Sequence, residues 1–168
     1  MIIAPHHINY VVSDMDVSLG FFTRALKLEI VQDAIRENLS SYDEMFGAKN
    51  IRLRVALLQL PQLSLFLELF EMLNPPGQKR SQEFNWVGVS HLAFQVSNMD
   101  AEYARIQQLG YRFRSSPVDV WRDGKFIARG CYLLDPDGTV IELFELDAAR
   151  SQMVMPRAEN RLINEVKT

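Results

Sequence analysis

One cysteine, Cys131, is all the thiol this 168-residue chain carries, so no intrachain disulfide is possible. No apolar run approaches the ~20 residues that a membrane-spanning helix needs. No basic stripe is present either. Lys and Arg number 18 against 21 Asp and Glu, giving a formal net charge of −3 and a pI near 5.6. Phosphate backbones are held by clustered Lys and Arg, so nucleic acid is excluded as the main partner. The opening stretch MIIAPHHINYVV lacks a basic region followed by a long apolar run and a small-residue cleavage site. A reducing, cytoplasmic setting without a membrane partner is therefore expected. What remains is ordinary for a globular protein: 48% hydrophobic and 23% charged residues, enough to bury a core. The length fits one domain, or two small modules sharing a core.

The informative feature is a repeat. HINYVVSDMD, from His7 to Asp16, returns without a gap as HLAFQVSNMD from His91 to Asp100, 84 residues later at every position. Each copy also closes alike, with LFLELFE around Glu68 and TVIELFE around Glu142. Each half thus begins with a histidine on a strand and ends with a glutamate on a strand.

Residues 6–13 are rich in β-branched and aromatic residues and predict a strand with His7, Asn9 and Val11 on one face. Asp14 can cap a helix carrying Val17, Leu19, Phe21, Phe22, Ala25 and Leu26. Strands are expected over 28–35, 51–59 and 63–70. The last places Ser64, Phe66, Glu68 and Phe70 on one face. Residues 36–49 predict a loop or short helix with no counterpart in the second half. The connector around Asn74-Pro75-Pro76-Gly77 is followed by a strand at 89–97, a helix from Asn98 to about Leu109, and extended chain over 111–121. Asp123-Gly124 signals a hairpin, and Asp135-Pro136-Asp137-Gly138 separates strands at 126–134 and 139–146. The predicted organisation is a first module over 1–73, a linker over 74–86, a second module over 87–146 and a tail over 147–168, part-helical near 157–167. The fold class is α+β: two βαβββ modules forming a curved mixed sheet around a cleft.

His7, Glu68, His91 and Glu142 are the candidate metal ligands. A lone strand histidine is usually structural, and a lone strand glutamate usually solvated. Here both glutamates sit among apolar strand neighbours, Leu67 and Leu69 in one case and Ile141 and Leu143 in the other. Unpaired buried carboxylates are costly, and a shared cation would compensate both. Imidazole nitrogen with carboxylate oxygen suits zinc, nickel, cobalt, manganese or iron. With no thiolate in the set, positions left open for water or substrate are expected, as catalysis requires.

With these motifs, and with DPDG preceding IELFE, the sequence resembles the vicinal oxygen chelate superfamily, also called the glyoxalase/bleomycin resistance/dioxygenase family, over about residues 5–146. The resemblance implies paired modules that form a divalent-metal cleft, often across a homodimer, with ligands at His7, Glu68, His91 and Glu142. The ligand pattern is most similar to glyoxalase I, with methylmalonyl-CoA epimerase next. It implies a lyase or isomerase that moves a proton beside a metal-chelated carbonyl, with Glu142 as base and Glu68 as second acid/base. The substrate would be a small carbonyl compound or thioester. Ring-cleaving extradiol dioxygenases using ferrous iron, fosfomycin-type resistance transferases and bleomycin-sequestering proteins are the alternatives; Glu68 has no clear role in the first two, and the third usually lack the metal set. Glyoxalase I enzymes carry a basic residue shortly after the first histidine, where this chain has Asn9, Tyr10, Val11 and Val12.

Asn9 and Gln95 share faces with the histidines and are candidate substrate-binding residues. Arg54 is a third, because a strand arginine can clamp a carboxylate with two parallel bonds. The alternative for Arg52 and Arg54 is an ion pair with a neighbouring Asp or Glu. Trp86 and Trp121 read as core or rim, and Cys131 as a small buried hydrophobe.

Overall fold

The computed structural model describes residues 1–63, 65–79 and 83–148. The expected tail helix near 157–167 and the face position of Ser64 lie outside those residues. The described residues divide into two compact units, one within 1–84 with 136–138, the other of 85–135 with 139–148.

In the first unit, β1 (His7–Val12) leads into α1 (Met15–Ala25), then β2 (Glu29–Glu37), α2 (Ser40–Phe46), β3 (Arg52–Gln59) and β4 (Phe66–Asn74). The sheet order is β1-β4-β3-β2. Strands β1 and β4 run parallel, and the other two pairs are antiparallel. Helix α1 starts where Asp14 accepts the Val17 N–H at 3.0 Å, a cap that contributes about 1 kcal/mol. Its Met15, Leu19, Phe21, Phe22 and Ala25 are buried, as are Ala56, Leu58, Leu67 and Leu69 of the sheet. The alternation along β4 therefore places Leu67 and Leu69 in the core and turns Phe66, Glu68 and Phe70 to the opposite face.

Residues 36–49 resolve into the end of β2 and the short α2. The helix stops at Gly47, whose φ of +62° suits a residue without Cβ. Asp43 then accepts the N–H groups of Asn50 (2.9 Å) and Ile51 (2.8 Å), which fixes the return into β3. Tyr42 and Ala48 pack with Phe70 and Met72 on the buried cluster of Ile51, Leu53 and Val55. The segment thus has its own small core, on the Glu68 side of the sheet.

The second unit repeats the plan: β5 (Leu92–Gln95), α3 (Met99–Gln108), β6 (Val118–Arg122), β7 (Lys125–Leu134) and β8 (Val140–Leu146), in the order β5-β8-β7-β6. Asn98 caps α3 by accepting from Ala101 N–H at 3.0 Å. Asp123 and Gly124 both take positive φ, 51° and 71°, which matches the right-handed strand twist in a two-residue hairpin. The fold is α+β with mixed sheets and few helices, as the sequence pattern predicts.

Three strands differ from expectation. Strand β5 is confined to Leu92–Gln95 rather than 89–97, because its ladder with β8 covers only those residues, so His91 stands immediately before the strand. Strand β4 begins at Phe66 rather than Leu63, because Leu60 N–H bonds back to Leu65 O (3.1 Å) and residues 61–63 turn rather than pair. It continues to Asn74, because Glu71, Met72 and Asn74 still find partners on β3. In the second unit only Val118–Arg122 of the extended stretch pairs as a strand, while Phe113 makes an isolated bridge to Leu133.

Candidate metal centre

Cross-strand register brings each histidine to its glutamate. In the parallel β1–β4 pair, His7 stands opposite Phe66 and Asn9 opposite Glu68. Glu68 therefore falls on the His7 face, one residue pair along. His7 Nε2 lies 3.2 Å from Glu68 Oε2, and Asn9 Nδ2 donates to the same oxygen at 3.2 Å. In the second unit Ala93 stands opposite Glu142, and His91 Nε2 lies 2.9 Å from Glu142 Oε2. The two carboxylates are not equally sheltered. The Glu68 side chain is 14% exposed and that of Glu142 29%. Both are partly buried, and each retains some contact with solvent.

The flanks of Glu142 are small on two sides. Ala93 is its β5 neighbour, and Gly130 on β7 is placed so that an added Cβ would stand 3.9 Å from Glu142 Oε1. On the third side Tyr132 is its direct β7 partner, with the Tyr132 ring 5.6 Å from that of His91. The equivalent place beside Glu68 is held by Leu57. Gln95 ends β5 opposite Phe144, on the same face as Ala93 and Glu142. Phe70, two residues beyond Glu68 on its face, meets Phe46 of α2 at 6.2 Å. The insertion thus walls one end of the Glu68 face.

Arg54 is placed differently from Asn9 and Gln95. Its Nε and Nη2 clamp both oxygens of Asp33 (2.8 and 2.7 Å), and Nη1 reaches Asp16 at 2.9 Å. The Arg54 hydrogen bond and charge hold Asp33 below the usual carboxylate range despite its partial burial. Arg52 pairs with Glu37 at 2.7 Å. The carboxylates that these arginines clamp are the chain's own.

Each His–Glu pair supplies one nitrogen and one oxygen donor. Among the described residues no group of three or more His, Cys, Asp or Glu gathers as a metal site. The pair geometry nevertheless fits half of one. Adjacent donors at right angles, each about 2.1 Å from an ion, stand about 3.0 Å apart, and the observed separations are 3.2 and 2.9 Å. Borderline cations accept this imidazole–carboxylate chemistry without a thiolate.

A family model described as the Glyoxalase/Bleomycin resistance protein/Dioxygenase superfamily matches residues 4–143. The chain belongs to that superfamily. Among curated proteins, a 2-epi-5-epi-valiolone epimerase of Actinomyces is 32% identical over 87% of this chain and 81% of its own length. An uncharacterized Bacillus subtilis protein, YwkD, is 27% identical over 83% of this chain and 94% of its own. Among solved structures, a glyoxalase family protein from Bacillus cereus superposes with a TM-score of 0.75 at 22% identity, over 87% of this chain and 95% of that one. A fosfomycin resistance protein from Listeria monocytogenes, solved with Mn(II) and sulfate, gives 0.57 at 18% identity over 90% and 99%. The superfamily thus includes enzymes and a member that holds a divalent metal. Among the described residues no helix is long and apolar enough to cross a membrane.

Two neighbours of the candidate ligands escaped the sequence reading. His6 was visible in the doublet His6-His7 but has no counterpart in the repeat, where Ser90 stands. Tyr132 becomes a site residue only through the β7–β8 register, which no local pattern announces.

Proposed function

We propose that this superfamily member is a divalent-metal-dependent isomerase or lyase, best described as an epimerase, that moves a proton on a carbon beside a carbonyl. The observation that carries the reading is the His–Glu pair found in the same register place of both units. His7, Glu68, His91 and Glu142 would hold one zinc, nickel, cobalt, manganese or iron ion, both pairs being needed for four donors, within one chain or across a homodimer. Such an ion, when bound, supplies Lewis-acid stabilisation for negative charge developing on the carbonyl oxygen.

The rest of the chemistry belongs to side chains. Glu142, open toward Ala93 and Gly130, removes the proton. Inverting a centre requires a second group to return one, and Glu68 takes that role. Asn9 holds Glu68 in place through its amide, and Gln95 faces the substrate from β5. The curated relative named as an epimerase supports this reading over the glyoxalase I type, as does the absence of a basic residue at Asn9–Val12. The substrate class proposed is a small ketone or thioester in a cytoplasmic setting.

The test is proton exchange. Protein loaded in turn with nickel, cobalt and zinc is incubated in D2O with cyclic polyol ketones, α-keto hemithioacetals and acyl-CoA thioesters, and deuterium uptake beside the carbonyl is followed by NMR. Uptake that disappears in Glu142→Gln supports the proposal. Oxygen consumption with ferrous ion and a catechol, with no exchange on any carbonyl compound, overturns it in favour of a ring-cleaving dioxygenase.

A further inference from the structure

His7 has a polar neighbour at each of its ring nitrogens. Nε2 faces Glu68 at 3.2 Å, while Nδ1 lies 2.8 Å from Nδ1 of His6. The two rings meet edge to face with centroids 5.1 Å apart. His6 is itself anchored: its carbonyl accepts the Phe66 N–H at 3.1 Å, and its ring lies 5.6 Å from that of Phe66. Phe66 opens β4 two residues before Glu68, so the strand that carries the carboxylate also positions the residue behind the histidine. Among the described residues nothing comparable stands behind His91, where position 90 is serine and the ring contact is with Tyr132.

A 2.8 Å contact between two imidazole nitrogens needs one proton, on one of the two Nδ1 atoms. With the His7 proton on Nε2, the nitrogen 3.2 Å from the Glu68 carboxylate, His7 Nδ1 carries the lone pair and His6 Nδ1–H donates to it. If His7 Nε2 is to offer its lone pair to a cation, its proton must sit on Nδ1, and His6 Nδ1 must then accept. We propose that His6 is the positioning residue of His7, setting its ring orientation and exchanging the shared Nδ1 proton so that His7 can present Nε2 either as donor or as ligand. The exchange balances: His7 loses its Nε2 proton to solvent and gains the Nδ1 proton from His6, while His6, exposed to water, takes a proton on its own Nε2. Neither ring changes net charge. Outer partners of this kind hold a ligand imidazole in one tautomer, and their loss typically costs about 10–100-fold in metal affinity.

The cation half of this inference rests on the metal reading given above; the tautomer half does not. Long-range 1H–15N NMR of the metal-free protein should show His7 in one tautomer, protonated at Nε2, in the wild type, and in a mixture of both in His6→Ala. Zinc titration by calorimetry should show a loss of about tenfold or more in His6→Ala. It should show near-complete recovery in His6→Asn, whose amide can both donate and accept but is a poor metal ligand. Unchanged tautomer and unchanged zinc affinity in His6→Ala overturn the proposal. Equal losses of affinity in His6→Ala and His6→Asn overturn it as well, since they make His6 a ligand. A wild type that takes no zinc but shows the single tautomer, lost in His6→Ala, refutes the metal reading and leaves the positioning role of His6 standing.

Discussion

Arg129 stands on β7 opposite Glu145 as Arg54 stands on β3 opposite Glu71. Each reaches an aspartate in the first turn of its unit's helix, Asp16 at 2.9 Å and Asp100 at 2.6 Å. Each also meets an aspartate on the outer strand, Asp33 at 2.7 Å and Asp119 at 3.5 Å. The duplication therefore extends beyond the His and Glu motifs to an arginine that pins the helix start to the sheet. The carboxylate near the helix N-terminus also suits the helix dipole. The pairings raise both arginines above their ordinary range: for Arg54 the Asp33 hydrogen bond leads, for Arg129 that of Asp100.

Replacing Arg54 by Gln should cost about 1 kcal/mol, because the pair is partly buried and bidentate rather than a loose surface contact. Urea denaturation at pH 7 measures it. Arg129→Gln should cost less, as its partners Asp100 and Asp119 are mostly exposed.

The Arg54–Asp33 pair also sets a pH dependence. Asp33 is lowered in the folded state, so the unfolded chain binds its proton more readily. The stabilisation is fully present above about pH 4, the ordinary carboxylate value, and is lost as pH falls through the lower folded value. The stability difference between wild type and Arg54→Gln should therefore shrink on acidification below about pH 4. A difference independent of pH from 7 to 3 would contradict this.

Phe22 is fully buried and packs edge to face on Phe21 with centroids 5.0 Å apart. Phe22→Ala should destabilise by about 3–5 kcal/mol, while Val17→Ala, on the exposed side of the same helix, should stay within about 0.5 kcal/mol. Paired thermal melts of the two variants check the helix face.

Burial pushes the Cys131 thiol up to about 11, with Arg129 opposing and Glu142 adding to the shift. Its sulfur lies 3.7 Å from Met99 Sδ in the core. A disulfide reagent at pH 8 should label it slowly in the native protein and rapidly in denaturant. Rapid native labelling would show that the Cys131 environment opens.

Under the proposed metal site, His7→Ala and His91→Ala should each weaken zinc binding by more than the about 10–100-fold cost of losing an outer partner. Calorimetry on the single and double variants measures this. Unchanged metal content in the double variant would rule the shared site out.

Much of the fold was readable because its signals are local. Asp14 and Asn98 announce helix starts through side-chain caps, Asp123-Gly124 a hairpin through its positive φ, and Leu67 and Leu69 a buried strand face through alternation. The His7–Glu68 and His91–Glu142 couples were suggested by the repeat. The role of Arg54 was harder to read, because an arginine on a strand offers the same fork to a ligand or to Asp33, and nothing nearby in the chain distinguishes them. Strand β4 was misplaced by three residues at its start, because Leu63 and Leu65 continue the alternation of Leu67 and Leu69 although Leu65 is tied back to Leu60.

From the linear chain alone, then, come the duplication, the α+β class, the superfamily resemblance and the four candidate ligands. These depend on residue type and spacing, which the chain carries at every point. The folded structure decided which atoms meet. The parallel β1–β4 register sets Glu68 on the His7 face with Asn9 beside it. The β7–β8 register puts Tyr132 next to Glu142. The α2 core walls one end of the Glu68 face, and His6 comes to rest behind His7. The physical reason is that register and side-chain contact are settled by pairing between segments tens of residues apart. There the burial of a whole sheet face selects one alignment from several that each strand would accept by itself.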